Sequence, residues 1–426
     1  MSKTKTFCEL SDLQHYSQQL QEPAVAWQMR QQAWQATMTA PNPSFAKINY
    51  RPWANLQGQL TVASQAVPLP ASTAQIAQVA GQPVQVRLST EAQTAGVEVL
   101  DLVAAWQQWP DLMQQYFGQV MPWTSQQLAA THYATVNSGV VIRVPANTKL
   151  QAPLTWDFYQ NGTGRQLNSQ HVLLIAGADS EFSILENRRT LGSDQPSASI
   201  VEELVLLAGA KVRFAAIDQL SLPTYLARYA RLATNARLDW ALGIMNDGDV
   251  LADFNTDLNG QGSQSEVKAV AISTGRQNQG ITTRITNYGQ HTKANILQHG
   301  VILSDATLIF NGIGHIVKGA RGSDSQQENR VLMLSRTARG DANPILLIDE
   351  NDVRAGHAAS VGRVNQEQMY YLMSRGLSKD LAERLVIRGF LGSVLSEIPA
   401  AEARQILTDT IERKLIDGQR HRDRAQ

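Results

Sequence analysis

The chain has 426 residues, 43% of them hydrophobic and 17% charged, the composition of a folded protein with a sizeable core and, by length, about two or three domains. Lys plus Arg and Asp plus Glu number 37 each, so the basic excess on which general phosphate-backbone binding rests is missing and no nucleic-acid partner is expected. The one cysteine, Cys8, excludes an internal disulfide and any zinc or iron–sulfur site built from this chain's thiolates alone.

The opening MSKTKTFCELSD has no continuous apolar h-region and does not read as a signal peptide. The longest apolar runs, Val172–Ala176 and Leu204–Ala208, fall far short of a membrane span of about 20 residues. A soluble, cytoplasmic protein is expected, with no membrane partner.

Residues 1–131 read as mostly helical. Ser11 is a candidate N-cap for a first helix, and Pro23 suits the first turn of a second, where its missing N–H costs little. That second helix carries Trp27 and Trp34 on one face with Arg30 between them; the Trp pair is expected to pack into the core, with a binding surface as the alternative. It stops before the breaker Pro41-Asn42-Pro43. Val84–Leu88 alternates like a strand, and Leu102, Val103, Trp106 and Leu112 mark further helix.

From 132 to 356 short β-rich runs alternate with polar turns containing Gly and Asn: Gly139–Ile142, Val172–Ile175, Leu204–Leu207 and Val301–Leu303. Four segments share a weak pattern, a small residue, a turn residue, Ala and a later aromatic: Ala176–Phe182, Ala208–Phe214, Thr234–Trp240 and Ser304–Phe310. Self-similarity at about 26–35 residues points to stacked coils, each needing its neighbours to complete a core, and gives about six to eight of them. A propeller would need longer, more regular units. The fold predicted is mainly β, a right-handed parallel β-helix flanked by helical N-terminal and C-terminal regions.

Residues 357–426 turn helical again. Asn365–Gln368 resembles a capping box, Gly376 stops a helix carrying Met369, Leu372 and Met373, and Ser378 opens another striped with Leu381, Leu385 and Val386. A third carries Leu407, Ile411 and Leu415. Such helices either cap the rod's open sheet edge or dock a partner.

Nothing in the chain reads as an active site. There is no P-loop, HExxH, CxxC or GxSxG. His291, His299 and His315 have no familiar ligand spacing and, in repeated strands, are free to face different sides. A polysaccharide-active β-helix enzyme is the alternative class, but no acidic cluster with a Lys or Arg partner is apparent. Asp247, Asp249, Asp253 and Asp257 read as turn acids and a solvent-facing strand edge. A purely structural interaction protein is the other alternative.

The stretch Phe310–Leu395 closely resembles the SufB/SufD family of iron–sulfur cluster scaffold proteins. The most specific parts are Arg330–Ser335, Pro344–Asp349, Asp352-Val-Arg-Ala-Gly-His-Ala-Ala-Ser360, Tyr370–Gly376 and Glu383–Phe390. Trp27, Arg30 and Trp34 match the family's opening helix more loosely. SufB-like chains carry a sulfur-receiving cysteine in the β-helix, and this chain has none after Cys8, so it resembles the SufD branch. The resemblance implies a non-enzymatic subunit that pairs with SufB and docks the ATPase SufC, with a cluster held transiently at the SufB–SufD interface. The isolated chain would hold no cofactor, and without SufB it could pair with itself through the same surface. His357 matches the family histidine and is the expected contact for iron or the nascent cluster, with Asp349, Glu350 and Asp352 available to orient it. Relatives often have Cys two residues earlier, where this chain has Ala355, which assigns any thiolate to SufB. Leu385, Val386 and Phe390 are the expected SufC-docking residues, with core packing as the competing role.

Overall fold

The computed structural model describes residues 8–50, 60, 67–163, 167–192, 197–395 and 401–425. Helices α1 (Leu10–Gln19) and α2 (Ala24–Thr39) open the chain. The first is capped by Glu9, two residues before Ser11, where the Asp12 carboxylate accepts from the Glu9 amide at 3.1 Å in a capping box. Arg30 of α2 is almost fully buried and donates to the carbonyls of Ala134 and Val136 at 2.8 and 3.0 Å while pairing with Glu22. Trp27 and Trp34 pack against the same apolar cluster, as expected for core residues. Cys8 joins that cluster, and burial pushes its thiol up to about 12. It is a packing residue, not a nucleophile.

Three short strands follow, β1 (Ile76–Val79), β2 (Gln85–Val86) and β3 (Glu98–Asp101), with the helices α3 (Thr90–Thr94), α4 (Leu102–Gln108), α5 (Pro110–Tyr116) and α6 (Gln127–Thr135) among them. From Ser138 the chain winds as a parallel β-helix. The first sheet stacks β4 (Ser138–Val144), β6 (Asn168–Ala176), β8 (Ala198–Leu206), β10 (Thr224–Leu232), β12 (Val250–Leu258), β14 (Asn278–Asn287), β16 (Thr307–Ile316) and β18 (Arg339–Ile348). The second stacks β5 (Leu154–Gly162), β7 (Glu181–Gly192), β9 (Lys211–Gln219), β11 (Arg237–Ile244), β13 (Gln264–Ser273), β15 (Lys293–Ile302), β17 (Asp324–Met333) and β19 (Arg354–Arg363). The boundary expected at 356/357 therefore falls inside the last strand, and part of the N-terminal region is woven into the rod.

One corner shows why the chain coils. Asn147, Asp179, Gly209, Asn235, Gly262, His291 and Gly322 all have positive φ. Each donates its backbone N–H to a carbonyl of the next coil, from Asn147 onto Ala178 at 2.8 Å to Gly322 onto Asp352 at 2.7 Å. Asn, Asp and Gly tolerate the left-handed region best, so these positions are the sequence's turn residues. The repeat is only partly in register. Phe214 pairs with Trp240, but Phe182 stands opposite Val212, and Ser304–Phe310 leads into the other sheet. Ser304 turns a second corner with φ 59°, so similar turn chemistry, not equivalent position, gave it the same pattern.

Alternate side chains fill the lumen with Trp156, Phe158, Phe214, Trp240, Phe254 and Phe310. Amid them sits a buried ionic cluster. Arg228 pairs with Asp218, Glu186 and Glu202 at 2.8, 2.8 and 3.1 Å, and Arg188 with Glu186 and Glu202 at 2.8 and 2.9 Å. All five side chains are essentially inaccessible to water. Three carboxylates face two guanidiniums, so one negative charge is in excess. Burial, with Glu202 and Asp218 adding to it against the pull of the arginines, raises Glu186 to about 7.

A carboxyl whose folded value is raised binds its proton more tightly in the native state, so its contribution to stability falls as pH rises from about 4.5 to about 7. Glu186→Gln removes the titration and keeps a neutral side chain of the same shape. The melting temperature of wild type minus that of the variant is expected to fall between about pH 5 and about pH 8. A difference independent of pH would show that Glu186 does not titrate there.

The helices α7 (Gln366–Ser374), α8 (Lys379–Leu395) and α9 (Ala401–Ala425) end the chain. Asn365 caps α7 through the amides of Glu367 and Gln368, and Ser378 accepts from Leu381 at the start of α8. Ile387, Leu391, Leu407, Ile411 and Leu415 pack on Ala215, Ile217, Met245, Val270, Ile272 and Val301, which face outward from the second sheet. The last two helices therefore lie along the side of the rod and leave its end bare.

Candidate functional site

The two ends of the rod differ. At the N-terminal end each sheet ends on a short strand, β2 antiparallel to β1 and β3 antiparallel to β4. At the other end β18 pairs only with β16 and β19 only with β17. Each terminal strand keeps one row of unpaired N–H and C=O groups, a template for another chain. Leu347, Ile348 and Val361 are 41, 46 and 42% exposed there.

His357 lies on β19, in register with Gln327 and through it with Ile296. Ser325, Gln327, Asn329 and Val331 are the buried, inward-facing residues of β17, so in-register Ala355, His357, Ala359 and Val361 share the lumenal row. No further coil covers them, and His357 is exposed. The sequence placed this histidine at a helix boundary just after the strand Ile345–Ile348; it is instead within the final strand. Two of the three acids expected to orient it, Asp349 and Glu350, are engaged elsewhere. Asp349 faces His315 at 3.1 Å, and Glu350 accepts from the amides of Gly319 and Asn351 at 3.0 and 2.8 Å, which, with help from Lys318, hold its carboxyl at about 2.

Beneath His357 the lumen turns polar, a feature the one-dimensional reading missed. Asn329 is fully buried with both its side-chain polar atoms unpartnered, and Gln327 Oε1 and Gln298 Oε1 are likewise unsatisfied. Gly312 faces this layer, where an added Cβ would fall 2.6 Å from Gln327 Oε1. The sequence carried a hint in Gln298, Gln327 and Asn329 at strand positions that should be apolar, but only the register shows that they stack.

The other histidines do not converge. His291 turns a corner, His299 sits on the outer face of the second sheet between the Phe390 carbonyl and Glu328, both at 3.0 Å, and His315 lies on the first sheet. Among the described residues no group of three His, Cys, Asp or Glu is placed to hold a metal ion.

Two readings of the acids need correction. Asp253 is not solvent-facing: it is 8% exposed and accepts from Tyr229 and Gln126 at 2.8 and 3.0 Å. An acidic and basic cluster does exist, in a groove of about 300 Å³ on the second sheet lined by Arg237, Asp239, Glu266, Lys293 and Asp324. Only Arg237 and Asp239 are neighbours in the sequence; Glu266, Lys293 and Asp324 join them from the next three strands of the sheet, β13, β15 and β17, so no local pattern shows the cluster. Its carboxylates are already held, Asp239 by Arg237 at 2.9 Å, Glu266 by Lys268 at 2.8 Å and Asp324 by Gln326 at 2.8 Å.

Of the three expected docking residues, Leu385 is 40% exposed, whereas Val386 packs beside Val364, Met369 and Ala382, and Phe390 stacks on the His299 ring at 4.9 Å. The exposed apolar surface of α7 and α8 is instead Tyr370, Tyr371, Met373, Leu381 and Leu385.

These features define a β-helical rod that ends on short antiparallel strands at one end and on long parallel strands open for pairing at the other, with an imidazole on that open edge and an apolar helical shelf nearby. The family model described as "SUF system FeS cluster assembly, SufBD core domain" matches residues 158–390. The iron–sulfur cluster assembly protein SufD of Bacillus subtilis is 41% identical over 338 residues, covering 78% of this chain and 77% of that protein. An iron–sulfur cluster assembly SufBD family protein of Staphylococcus epidermidis is 25% identical over 73% of this chain and 68% of its own. The chain belongs to the SufB/SufD family of iron–sulfur cluster assembly proteins, and of its two branches it is most like SufD. Its role is that of an iron–sulfur cluster assembly scaffold. Among the described residues no helix is long and apolar enough to cross a membrane.

Proposed function

We propose that this chain is the non-catalytic, SufD-type subunit of a cytoplasmic complex with a SufB-type partner and a SufC-type ATPase, and that the cluster is its cargo. The observation that carries the reading is the exposed His357 on a terminal strand whose outer edge is unpaired. A similar rod offering its own last strands would extend both sheets and enclose the lumenal row between two subunits, and a second copy of this chain could do the same in isolation. Imidazole is a borderline ligand that suits iron. One such ligand is weak alone, as a site that must release its cargo requires. Ala355 beside it supplies no thiolate, so thiolates come from the partner. Co-purification of the three chains, followed by iron and sulfide analysis, tests the assignment; a stable chain that recruits neither partner contradicts it.

The shelf on α7 and α8 is the proposed ATPase dock. Leu385→Asp places a charge on an exposed apolar surface, where it should cost within about 0.5 kcal/mol of fold stability yet block docking. Phe390→Ala removes a ring packed on His299 and the second sheet and is expected to cost about 3 kcal/mol. Loss of ATPase binding in Leu385→Asp at an unchanged melting temperature supports the dock. Normal binding by that variant places the ATPase elsewhere.

A further inference from the structure

The segment Pro41–Ala46 leaves α2 and crosses the outer face of the first sheet as a strap fastened at three points. Pro41 O accepts from the Gln127 amide at 2.9 Å, Pro43 O from the Tyr50 hydroxyl at 2.8 Å, and Ala46 O from the Asn311 side-chain amide at 3.2 Å. Between strap and sheet lies a cleft of about 560 Å³, within the range of pockets that hold small organic ligands.

Two rows of in-register side chains make its floor. In the first, Asp253, Thr282, Asn311 and Asn343 stand side by side on β12, β14, β16 and β18. This row is satisfied internally. Asp253 takes Tyr229 and Gln126, Asn311 donates to Thr282 at 3.1 Å, and Asn343 donates to Asn311 at 3.0 Å. The second row, Tyr229, Asn255, Arg284, Ile313 and Ile345, is not. Asn255 donates to Asp257 at 3.1 Å, but its Oδ1 is buried without a partner. Next to it the Arg284 guanidinium is exposed and, among the described residues, makes no hydrogen bond or ion pair, although Asp253 and Asp257 contribute to the field around it. Ile313 and Ile345 continue the row as an apolar patch, with Phe45 of the strap also lining the cleft.

The unspent chemistry is thus a fork of donors, one acceptor on the neighbouring strand about 4.8 Å away, and an apolar surface beyond. A planar guanidinium fork matches a carboxylate bidentately, and a buried orphan acceptor is stabilised by any N–H or O–H brought to it. We propose that this cleft is a binding site for a small organic acid: its carboxylate on Arg284, an adjacent hydroxyl or N–H donor on Asn255 Oδ1, and an apolar body over Ile313 and Ile345. The site is separate from His357 and from the helical shelf, so it stands whether or not the proposed complex does.

Mandelate, which carries a carboxylate, an α-hydroxyl and a phenyl ring, is the probe, and phenylacetate is its hydroxyl-free control. Titrated calorimetrically into the full chain, mandelate is expected to bind saturably and more tightly than phenylacetate. Arg284→Gln should weaken mandelate at least tenfold, Arg284→Lys should fall between it and wild type, and Asn255→Ala should abolish the preference over phenylacetate. Arg284→Lys keeps the positive charge near Asp253 and Asp257 and should melt as wild type does. Absence of saturable mandelate binding, or equal binding by Arg284→Gln, overturns the proposal.

Discussion

Arg228→Ala is expected to be the most destabilising single substitution discussed for this molecule, at about 3–5 kcal/mol. The guanidinium lies inside the lumen with no measurable exposure and neutralises Asp218, Glu186 and Glu202 together. Deleting it leaves three buried carboxylates with Arg188 alone. Proton uptake would relieve part of the repulsion, so the loss should be smaller in mild acid than at pH 8. Arg237→Ala supplies the contrast. Its pair with Asp239 is 2.9 Å long but the arginine is 49% exposed, and such pairs contribute within about 1 kcal/mol. If the two variants unfold at the same denaturant concentration, the buried cluster is not what holds these coils together. Replacing Asp218 as well, by Leu, should recover part of the Arg228 loss, because the cost lies in unpaired charge and not in the missing pair itself.

His357→Ala is expected to act in the opposite way, with little effect on the fold and a large one on the cargo. The side chain is exposed at the end of a row, so removing it opens no cavity and should change stability within about 0.5 kcal/mol. Pairing through the backbone edges of β18 and β19 should persist. Cluster yield on the assembled complex should drop sharply, since a donor set completed from two chains loses the only ligand proposed from this one. Unchanged yield would make the histidine a bystander at the edge.

The sequence made the architecture legible because parallel coils repeat a turn. Asn, Asp and Gly recur where each coil needs a left-handed residue, and short apolar runs flank them. It could not settle register, because similar turn chemistry serves both corners: Ser304–Phe310 was grouped with segments that belong to the opposite sheet. His357 was found through its motif, but its setting was misjudged, since the small, polar run Arg354–Arg363 does not read as a strand. Only pairing with β17 makes it one. The polar lumen under His357, the ionic cluster around Arg228 and the cleft under Pro41–Ala46 were all invisible for the same reason. Each gathers residues from several strands of neighbouring coils, and no local pattern records which of them share a face. Val386 and Phe390 show the limit of a helical stripe, which marks an apolar face without saying whether protein or partner covers it.

The central claim, that this chain contributes an imidazole to the assembling cluster at its open end, is tested most directly by pulsed electron paramagnetic resonance. The complex would be assembled with ¹⁵N-histidine in this chain only, loaded with a cluster and chemically reduced. The account predicts a ¹⁵N hyperfine coupling of a directly bonded imidazole, absent when His357→Ala is used. A reduced cluster showing no nitrogen coupling from this chain, or one that survives the substitution, would contradict it.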